Sequence, residues 1–530
     1  MRTCWRIRPG GSYPETAARL RTGRRGSCPW CWPRPGPCPE ASPPSGSRTR
    51  SVARGGGRPE STSFVHQPSD IEEGCGGGAS PYPERTCPGN ALCRLYAKRY
   101  PLYLCQVLLW VARGEYTSRN EREDRLMKSL IERFLRYAKE ETTSCESSES
   151  LPSTATQMRF LELLEEELVE MGVDDPYLCD KGTLYASLPP REGPTVGLLA
   201  HVDTSPDAPG AGVKPVLHRS WNGSPIELPS GDVIEPTQTK DMDRYRGSCI
   251  VTSNGSTLLG ADDKAGVAVI MEICRHFLES PDAPRPDLRL AFTTDEEIGR
   301  GMDGFDVERF GVDFAYTVDG GPVGIVDTQT FNAWKALWTI VGREVHPGSA
   351  KGVMVNAVRI AGDLISMLRG DEMPESTSGM EGYVYPILVE GATREVRVKM
   401  LIRDFTVEGA ERRLEQLEEV ASFLRAAYPG SRIELDTTNQ YLNPGEVVRN
   451  DPRIVDCAMR GTRAAGLEPV EGAIRGGTDG SRLSRMGVPT VNLPTGGEMF
   501  HSRTEWISDR GLELSYLTVA ETLRAWSEKR

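Results

Sequence analysis

The sequence predicts an α/β fold in which helices cover a mostly parallel β-sheet. Short apolar runs bounded by turn residues predict strands, and an apolar-periodic segment from Lys264 to Glu279 predicts a helix between two of them. Strands that alternate with helices are typical of parallel sheets with both faces covered. The strands predicted for this sheet are Val196–Ala200, Leu288–Thr293, Phe314–Val318 and Val488–Leu493.

Residues 333–443 follow a second pattern, in the order strand, helix, strand, strand, helix, strand. This is the element order of a ferredoxin-like α+β domain. Because the segment lies inside the chain, we expect it to be inserted into a larger domain formed by residues 127–332 and 444–530. A cleft between two such domains is a common place for a small-substrate site. The six elements are predicted at Lys335–Val341, Asn356–Leu368, Tyr383–Val389, Glu395–Arg403, Glu408–Tyr428 and Arg432–Leu435.

The first 126 residues differ in composition from the rest of the chain. Most of this segment is rich in Arg, Gly, Pro and Ser without apolar periodicity, and it holds eight of the thirteen cysteines. Such a segment buries too little apolar surface to fold. We therefore expect residues 1–126 to be a disordered tail or an over-extended start, with ordered structure beginning at Met127. From there Leu130, Ile131, Phe134 and Leu135 mark an amphipathic helix.

The formal net charge of -12 argues against a nucleic-acid-binding surface, which needs clustered Lys and Arg to neutralise phosphates. No apolar run reaches the roughly 20 residues that a membrane-spanning helix needs. The five cysteines after residue 126 lie far apart and form no C-x-x-C pair, which is typical of a reduced cytosolic compartment. We therefore expect a soluble, cytoplasmic protein that binds neither nucleic acid nor membranes.

Two of the six histidines, His201 and His501, are candidates for chemistry. His201 directly follows a predicted strand, where open α/β sheets place ligand-binding groups. Asp203, two residues further on, is positioned to hydrogen-bond the imidazole ring and fix its tautomer. A histidine after a strand is by itself more often structural. Its role therefore depends on which side chains lie around it.

Acidic residues recur near the ends of the predicted strands: Asp262 and Asp263, Glu296 and Glu297, and Asp319. Each cluster alone is better explained by solvated loop carboxylates or, for Asp262 and Asp263, by N-caps of the following helix. Converging carboxylates repel one another and stay partly protonated unless cations neutralise them. Three clusters beside two histidines therefore favour a metal site. Mixed His and carboxylate ligation suits zinc, cobalt or manganese better than magnesium.

Six short motifs follow one another between Met127 and the C-terminus. They are HVDTSPD from His201, LGADDKAG from Leu259, DEEIG from Asp295, AYTVDGG from Ala315, HPG from His346 together with the segment that follows it to Asn356, and RGGTDG from Arg475. In these motifs and their order the chain resembles the peptidase T family of tripeptide aminopeptidases, within the clan of co-catalytic zinc aminopeptidases, carboxypeptidases and amidohydrolases. The resemblance implies a zinc-exopeptidase-like catalytic domain and an inserted lid domain that forms homodimers.

The resemblance also implies two divalent metal ions per subunit, with zinc as the expected metal. His201 and Asp319 would bind one ion, Glu297 and His501 the other, and Asp262 would bridge the two. Two ions close together supply hydroxide and polarise the scissile carbonyl.

Further roles follow from the same resemblance. Glu296 would be the general base that takes a proton from the attacking water, and Asp203 would orient His201. His346, on the lid, would donate to the tetrahedral oxyanion, although a turn residue before Pro347 is the simpler interpretation. Three residues would hold the short peptide substrate: Asn356, Arg403 and Arg475. The alternatives are simple exposure for Arg475 and pairing with Asp404 for Arg403.

The implied activity is release of the N-terminal residue from tripeptides. A related metal-dependent dipeptidase or N-acyl amino acid amidohydrolase is the alternative within enzymes. A non-catalytic peptide-binding relative would have lost a ligand or Glu296, and the sequence retains all of them.

Overall fold

The structure, a computed structural model, describes residues 128–239 and 241–528. All of these residues fall in one compact unit of the chain, Gly89–Arg530. The tail expected over residues 1–126 and the start expected at Met127 lie outside the described residues. The described chain begins with helix α1 at residues 128–137, where the sequence predicts the first amphipathic helix.

The elements follow one another along the chain in three stretches. The first contains α2 (Ala155–Glu170), β1 (Tyr177–Cys179), β2 (Thr183–Ser187), β3 (Thr195–His201), β4 (Val216–His218), β5 (Ile226–Glu227), β6 (Val233–Ile234), β7 (Ile250–Thr252), α3 (Ala261–Glu279), β8 (Asp287–Thr293), α4 (Val307–Phe310), β9 (Phe314–Gly320) and β10 (Ile325–Thr330). The second contains β11 (Asn332–Val341), α5 (Ala357–Met367), β12 (Tyr383–Gly391), β13 (Glu395–Asp404), α6 (Val407–Ala427) and β14 (Arg432–Tyr441). The third contains α7 (Gly445–Asn450), α8 (Arg453–Ala464), β15 (Val470–Ile474), α9 (Asp479–Arg485), β16 (Thr490–Pro494), β17 (Gly497–Glu498), β18 (Trp506–Ser508) and α10 (Asp509–Ser527).

Strands from the first and third stretches form an eight-stranded sheet in the order β1-β2-β8-β3-β9-β16-β10-β15. Its centre is parallel, because β8, β3, β9 and β16 run in the same direction. Antiparallel pairs occur where β2 joins β1 and β8, and where β10 joins β16. The predicted α/β class with a mostly parallel sheet is confirmed.

Apolar residues of the central strands are buried on both faces of this sheet. In β3, Val196, Leu198 and Ala200 belong to the main core, which α3 also enters. Leu199 points to the opposite face and packs in a smaller core that includes Phe310. A strand covered on both faces has no solvent side, and its sequence is therefore almost continuously apolar.

The second stretch forms a separate four-stranded antiparallel sheet in the order β12-β13-β11-β14. Helices α5 and α6 cover one face and share an apolar core with it. The order of elements is the predicted ferredoxin-like one, and we call this part the lid. Its last strand runs to Tyr441 rather than ending at Leu435 as predicted. The extension is largely polar, and its backbone pairing with β11 holds it in the sheet.

The longest described helix, α6, is strongly charged on one side and buries the other against the lid sheet. No helix in the described ranges is long and apolar enough to cross a membrane.

Candidate metal centre

Three neighbouring parallel strands bring the candidate residues to one edge of the main sheet. His201 is the last residue of β3, and Asp319 lies at the end of β9. Glu296 and Glu297 follow β8 after a short turn. Because β8, β3 and β9 are adjacent, their carboxyl ends meet at the place where open α/β sheets bind ligands.

The first group of possible metal ligands consists of His201, Asp262 and Asp319. Nε2 of His201 lies 3.0 Å from Oδ1 of Asp262 and 3.4 Å from Oδ1 of Asp319. His201 is almost fully buried. Its other ring nitrogen, Nδ1, faces Asp203, at 3.1 Å from the carbonyl oxygen and 3.4 Å from Oδ1. The Nε2 atom is therefore the one presented to the ligand group.

The second group consists of Asp262, Glu297 and His501. Nε2 of His501 lies 2.9 Å from Oε2 of Glu297 and 3.3 Å from Oδ2 of Asp262. Asp262 thus directs one carboxylate oxygen to each histidine. The two groups share this carboxylate, which is the arrangement that a bridging ligand requires.

The adjacent aspartates Asp262 and Asp263 have different roles, which the sequence alone left open. Both have non-helical dihedral angles at the start of α3. Asp263 Oδ1 accepts a hydrogen bond from the backbone N–H of Gly266 at 3.1 Å, as a helix cap does. Asp263 Oδ2 accepts another from the backbone N–H of His201 at 3.3 Å. Asp263 therefore fixes the backbone, whereas Asp262 remains available to the ligand groups.

Asp203 is fully buried beside the glutamate pair. Its Oδ1 accepts a hydrogen bond from the backbone N–H of Glu296 at 3.0 Å, and its Oδ2 accepts one from Glu297 at 3.2 Å. One carboxylate therefore orients His201 and also holds the turn that carries both glutamates. Asp203 thus connects His201 with the turn at Glu296 and Glu297.

The residues present fit a pair of metal ions. Histidine nitrogen and carboxylate oxygen are the donor set that zinc and related ions prefer. Glu297 Oε1 is buried and makes no hydrogen bond to the described residues, although a buried carboxylate oxygen normally has a partner. A cation at this position would satisfy it.

The pKa values of the site residues also favour a bound cation. Burial, and then the charge of Asp262, raise the pKa of Glu297 to about 8, against the opposing effect of His501. Burial raises the pKa of Asp319 to about 6, with His201 opposing it. Burial would lower the pKa of His501, but hydrogen bonds and attraction from Asp262 and Glu297 raise it to about 11. The raised pKa of Glu297 means that this carboxylate retains a proton at neutral pH unless a cation replaces it.

A cavity of about 830 Å³ opens above the ligand groups and extends to the lid. His201, Glu296 and His501 lie on its floor side, and Arg403 lies in its lid wall. The Arg403 guanidinium donates to the carbonyl oxygens of Trp334 and Ile402 and to Gln440, so the expected alternative of pairing with Asp404 is not what the structure has.

Three other predicted substrate residues do not line this cavity. His346 is exposed, and its Nδ1 accepts a hydrogen bond from the backbone N–H of Gly348. Asn356 caps helix α5 through the backbone N–H of Val358. Arg475 donates to the carbonyl oxygens of the lid loop at 379 and 381.

Sequence reasoning missed three residues of the site. Asp479 is buried in the cavity wall and accepts a hydrogen bond from Thr293 at 2.6 Å. Glu505 is buried under the loop before Asp262 and accepts backbone hydrogen bonds from it. Tyr441 ends β14 in the cavity wall. Asp479 lies in the RGGTDG motif and could have been found there, whereas Glu505 and Tyr441 carry no distinctive sequence signal.

Comparison with known proteins gives consistent matches. A model of peptidase family M20/M25/M40 matches residues 253–525. A peptidase T of Clostridium perfringens is 41% identical over 406 residues, which are 76% of this chain and 100% of that protein. A peptidase T of Geobacillus kaustophilus is 42% identical over 409 residues, with the same coverage of both chains. A solved structure of a tripeptidase from Staphylococcus aureus shares the fold, with a TM-score of 0.61 and 21% identity over 76% of this chain and 99% of that one. With relatives this similar along their whole length, the chain belongs to peptidase family M20/M25/M40, and within it to the peptidase T group.

Proposed function

We propose that this protein is a cytoplasmic, zinc-dependent aminopeptidase that releases the N-terminal residue from tripeptides. The observation that carries the proposal is the convergence of five ligand side chains in two groups that share Asp262. The similar proteins named peptidase T, and the structural relative described as a tripeptidase, support the substrate class.

In this proposal His201 and Asp319 would hold one ion, Glu297 and His501 would hold the other, and Asp262 would serve both. When bound, such ions activate water at neutral pH and polarise the scissile carbonyl. Asp203 keeps Nε2 of His201 directed at its ion through the contacts to Nδ1. Glu505 holds the backbone on both sides of Ala261, which keeps the Asp262 carboxylate between the histidines.

Glu296 lines the cavity but belongs to neither ligand group. Its carboxylate is therefore free to take a proton from the attacking water and to deliver it to the leaving amine. Burial, together with the charges of Asp479 and Asp319, raises the pKa of Glu296 well above its usual range, against His201. Cations beside it would oppose this rise and keep the carboxylate ionised before each cycle.

We propose that the substrate lies in the cavity with its C-terminal carboxylate toward Arg403 in the lid wall. Asn356, Arg475 and the oxyanion donor His346 remain proposed contacts, and each lies away from the cavity here. They would reach the substrate by lid movement or from a partner subunit. A homodimer through the lid is supported by the edge strand β12, where Leu388 and Val389 are exposed.

Metal analysis of the purified protein, combined with a three-substrate assay, tests the proposal. We expect two equivalents of zinc per chain, and hydrolysis of a tripeptide such as Leu-Gly-Gly well above that of Leu-Gly or N-acetyl-leucine. Preference for the dipeptide would identify a dipeptidase, and preference for the N-acetyl amino acid would identify an amidohydrolase. Either result would contradict the tripeptide assignment while leaving the metal centre in place.

A further inference from the structure

The lid sheet has one covered face and one open face. In β11 and β13, alternate residues such as Ala336, Trp338, Val398 and Met400 pack in the lid core under α5 and α6. Because side chains alternate across a strand, the residues between them point to the other face. That open face forms the lid wall of the cavity above the metal centre.

Two lysines lie on this open face, Lys335 on β11 and Lys399 on β13. Lys335 is opposite Leu401 and Lys399 is opposite Leu337, so the two lysines are diagonal neighbours on adjacent strands. Diagonal side chains at this spacing are close enough to share one ligand when they are long. Both lysines line the cavity and both are partly buried.

The lysines differ from the other cations of the same face. The Arg403 guanidinium uses three of its five N–H donors on Trp334, Ile402 and Gln440, and two remain for the main-chain carboxylate of the substrate. Arg397, two residues before Lys399, is exposed and pairs with Glu395 at 3.1 Å. Lys335 and Lys399 make no ion pair or hydrogen bond with any other side chain in the described part of the chain. A partly buried ammonium group without a partner in the protein is available to bind an anionic ligand.

The chemistry of a tripeptide limits what this anion can be. Its main chain carries one carboxylate, which the proposed function directs to Arg403. Arg403 is opposite Ala333 and so stands diagonal to Lys335, and it lies four residues from Lys399 on the same face of β13. A ligand anchored at Arg403 therefore reaches the lysines with a side chain that leaves its last residue. An acidic side chain is the group that two unpaired ammonium groups would select.

We propose that Lys335 and Lys399 form a subsite for an acidic side chain, so that tripeptides ending in Glu or Asp are preferred substrates. This inference rests on the proposed function, because it requires a peptide bound with its N-terminus at the metal centre. It goes beyond that function by naming the side-chain class that the lid recognises.

The test compares Leu-Gly-Glu, Leu-Gly-Gln and Leu-Gly-Lys at low ionic strength with the zinc-loaded, full-length protein. We expect kcat/KM for the Glu peptide to exceed that for the Gln peptide by about tenfold, as one hydrogen-bonded charge contact in a partly desolvated site provides. The Lys peptide should be poorer than both. Added salt should reduce the Glu-to-Gln ratio, because it screens the lysines.

The double variant Lys335→Gln/Lys399→Gln should bring the Glu-to-Gln ratio close to one. Arg397→Gln is the matched control, since it removes a cation from the same strand and face that does not line the cavity, and it should keep the wild-type ratio. Thermal unfolding of all variants shows whether each is folded.

Three results would overturn the inference. The first is equal kcat/KM for the Glu and Gln peptides in the wild-type protein, which would leave the proposed function standing. The second is a preference that persists in the double variant. The third is an equal loss on both peptides in that variant, which would assign the lysines to the main-chain carboxylate. If none of the peptides is hydrolysed, the proposed function fails and this inference fails with it.

Discussion

The backbone N–H of Glu296 donates a hydrogen bond of 3.0 Å to Oδ1 of Asp203. The proposed base is thereby held by the same carboxylate that faces Nδ1 of His201. Asp203 has no exposed surface, so water does not compete for these contacts. The position of Glu296 and the orientation of the His201 ring therefore both depend on Asp203.

Asp203→Asn should weaken both metal binding and catalysis without changing the side-chain volume. The amide nitrogen cannot accept a hydrogen bond, so one of the two backbone N–H groups of Glu296 and Glu297 loses its acceptor. We expect metal affinity and kcat to fall by roughly 10–100-fold each, as is usual when the residue that orients a metal ligand is replaced. Competition with a fluorescent chelator and steady-state kinetics measure the two effects.

Asp207→Asn is the control for this prediction. Asp207 lies on the same segment, but its side chain is 72% exposed and lies 3.5 Å from His501. We expect less than about a threefold effect from it, as for other exposed charge contacts. Equal effects of the two variants would show that Asp203 has no special role.

Glu296→Ala should abolish turnover while leaving the metal content unchanged. The side chain lies outside both ligand groups, and its proposed task is proton transfer. A loss of roughly 100- to 10,000-fold in kcat is expected. His501→Ala is the matched variant, since it removes a ligand atom and should lower the metal content itself. Elemental analysis separates the two, and loss of both metals from the Glu296 variant would place Glu296 among the ligands.

Much of the candidate ligand set was accessible from sequence because strand ends are easy to recognise. His201 and Asp319 follow apolar runs, and parallel strands bring such positions to one edge. The roles of the adjacent acids depended on the resemblance or on the structure. Asp262 and Asp263 differ through backbone geometry at the start of α3, which no residue pattern encodes.

The lid wall of the cavity could not be predicted in the same way. Its residues come from all four strands of the lid sheet, and each strand could present either face to the metal centre. Asn356 and Arg475, predicted to hold the substrate, do not line the cavity, because local contacts already occupy both side chains. Lys335 and Lys399 carry no motif, and their alignment appears only when the register of the strands is known.

Metal binding should release protons and strengthen as pH rises. In the metal-free site, attraction to Asp262 and Glu297 outweighs burial and raises the pKa of His501 to about 11, and burial raises that of Glu297 to about 8. His501 Nε2 and Glu297 Oε2 face each other at 2.9 Å, so this pair holds at least one proton near pH 7 that ligation must displace. Raising the pH from about 6 to about 8 lowers this cost, mainly through Glu297, so the apparent zinc affinity should increase.

Calorimetry in buffers of different ionisation enthalpy measures the released protons directly. At least one proton per chain should appear when zinc is added to the metal-free protein near pH 7. His501→Ala provides the comparison, because it removes one member of the pair that holds the proton and should reduce the number released. Binding heats that do not depend on the buffer would contradict the prediction.

The lid should depend for its stability on a buried ion pair between Asp404 and Arg413. Their side chains are 10% and 6% exposed, and Arg413 also donates to the carbonyl oxygens of Gly409 and Gly382. Asp404→Ala leaves Glu372, at 3.5 Å, as the one carboxylate paired with this guanidinium among the described residues. Removing one partner of a buried pair costs roughly 3–5 kcal/mol, so we expect a loss of about 3 kcal/mol in the free energy of unfolding of the lid.

Hydrogen exchange of the lid strands, together with denaturant unfolding, measures this loss. Glu395→Ala is the control on the same sheet, because it breaks the exposed pair with Arg397 and should cost less than about 1 kcal/mol. Asp404 directly follows Arg403, whose guanidinium lines the cavity, so loosening the end of β13 should also raise KM more than it lowers kcat. Unchanged exchange in β13 of the Asp404 variant would show that the core of the lid, and not the ion pair, holds this strand end in place.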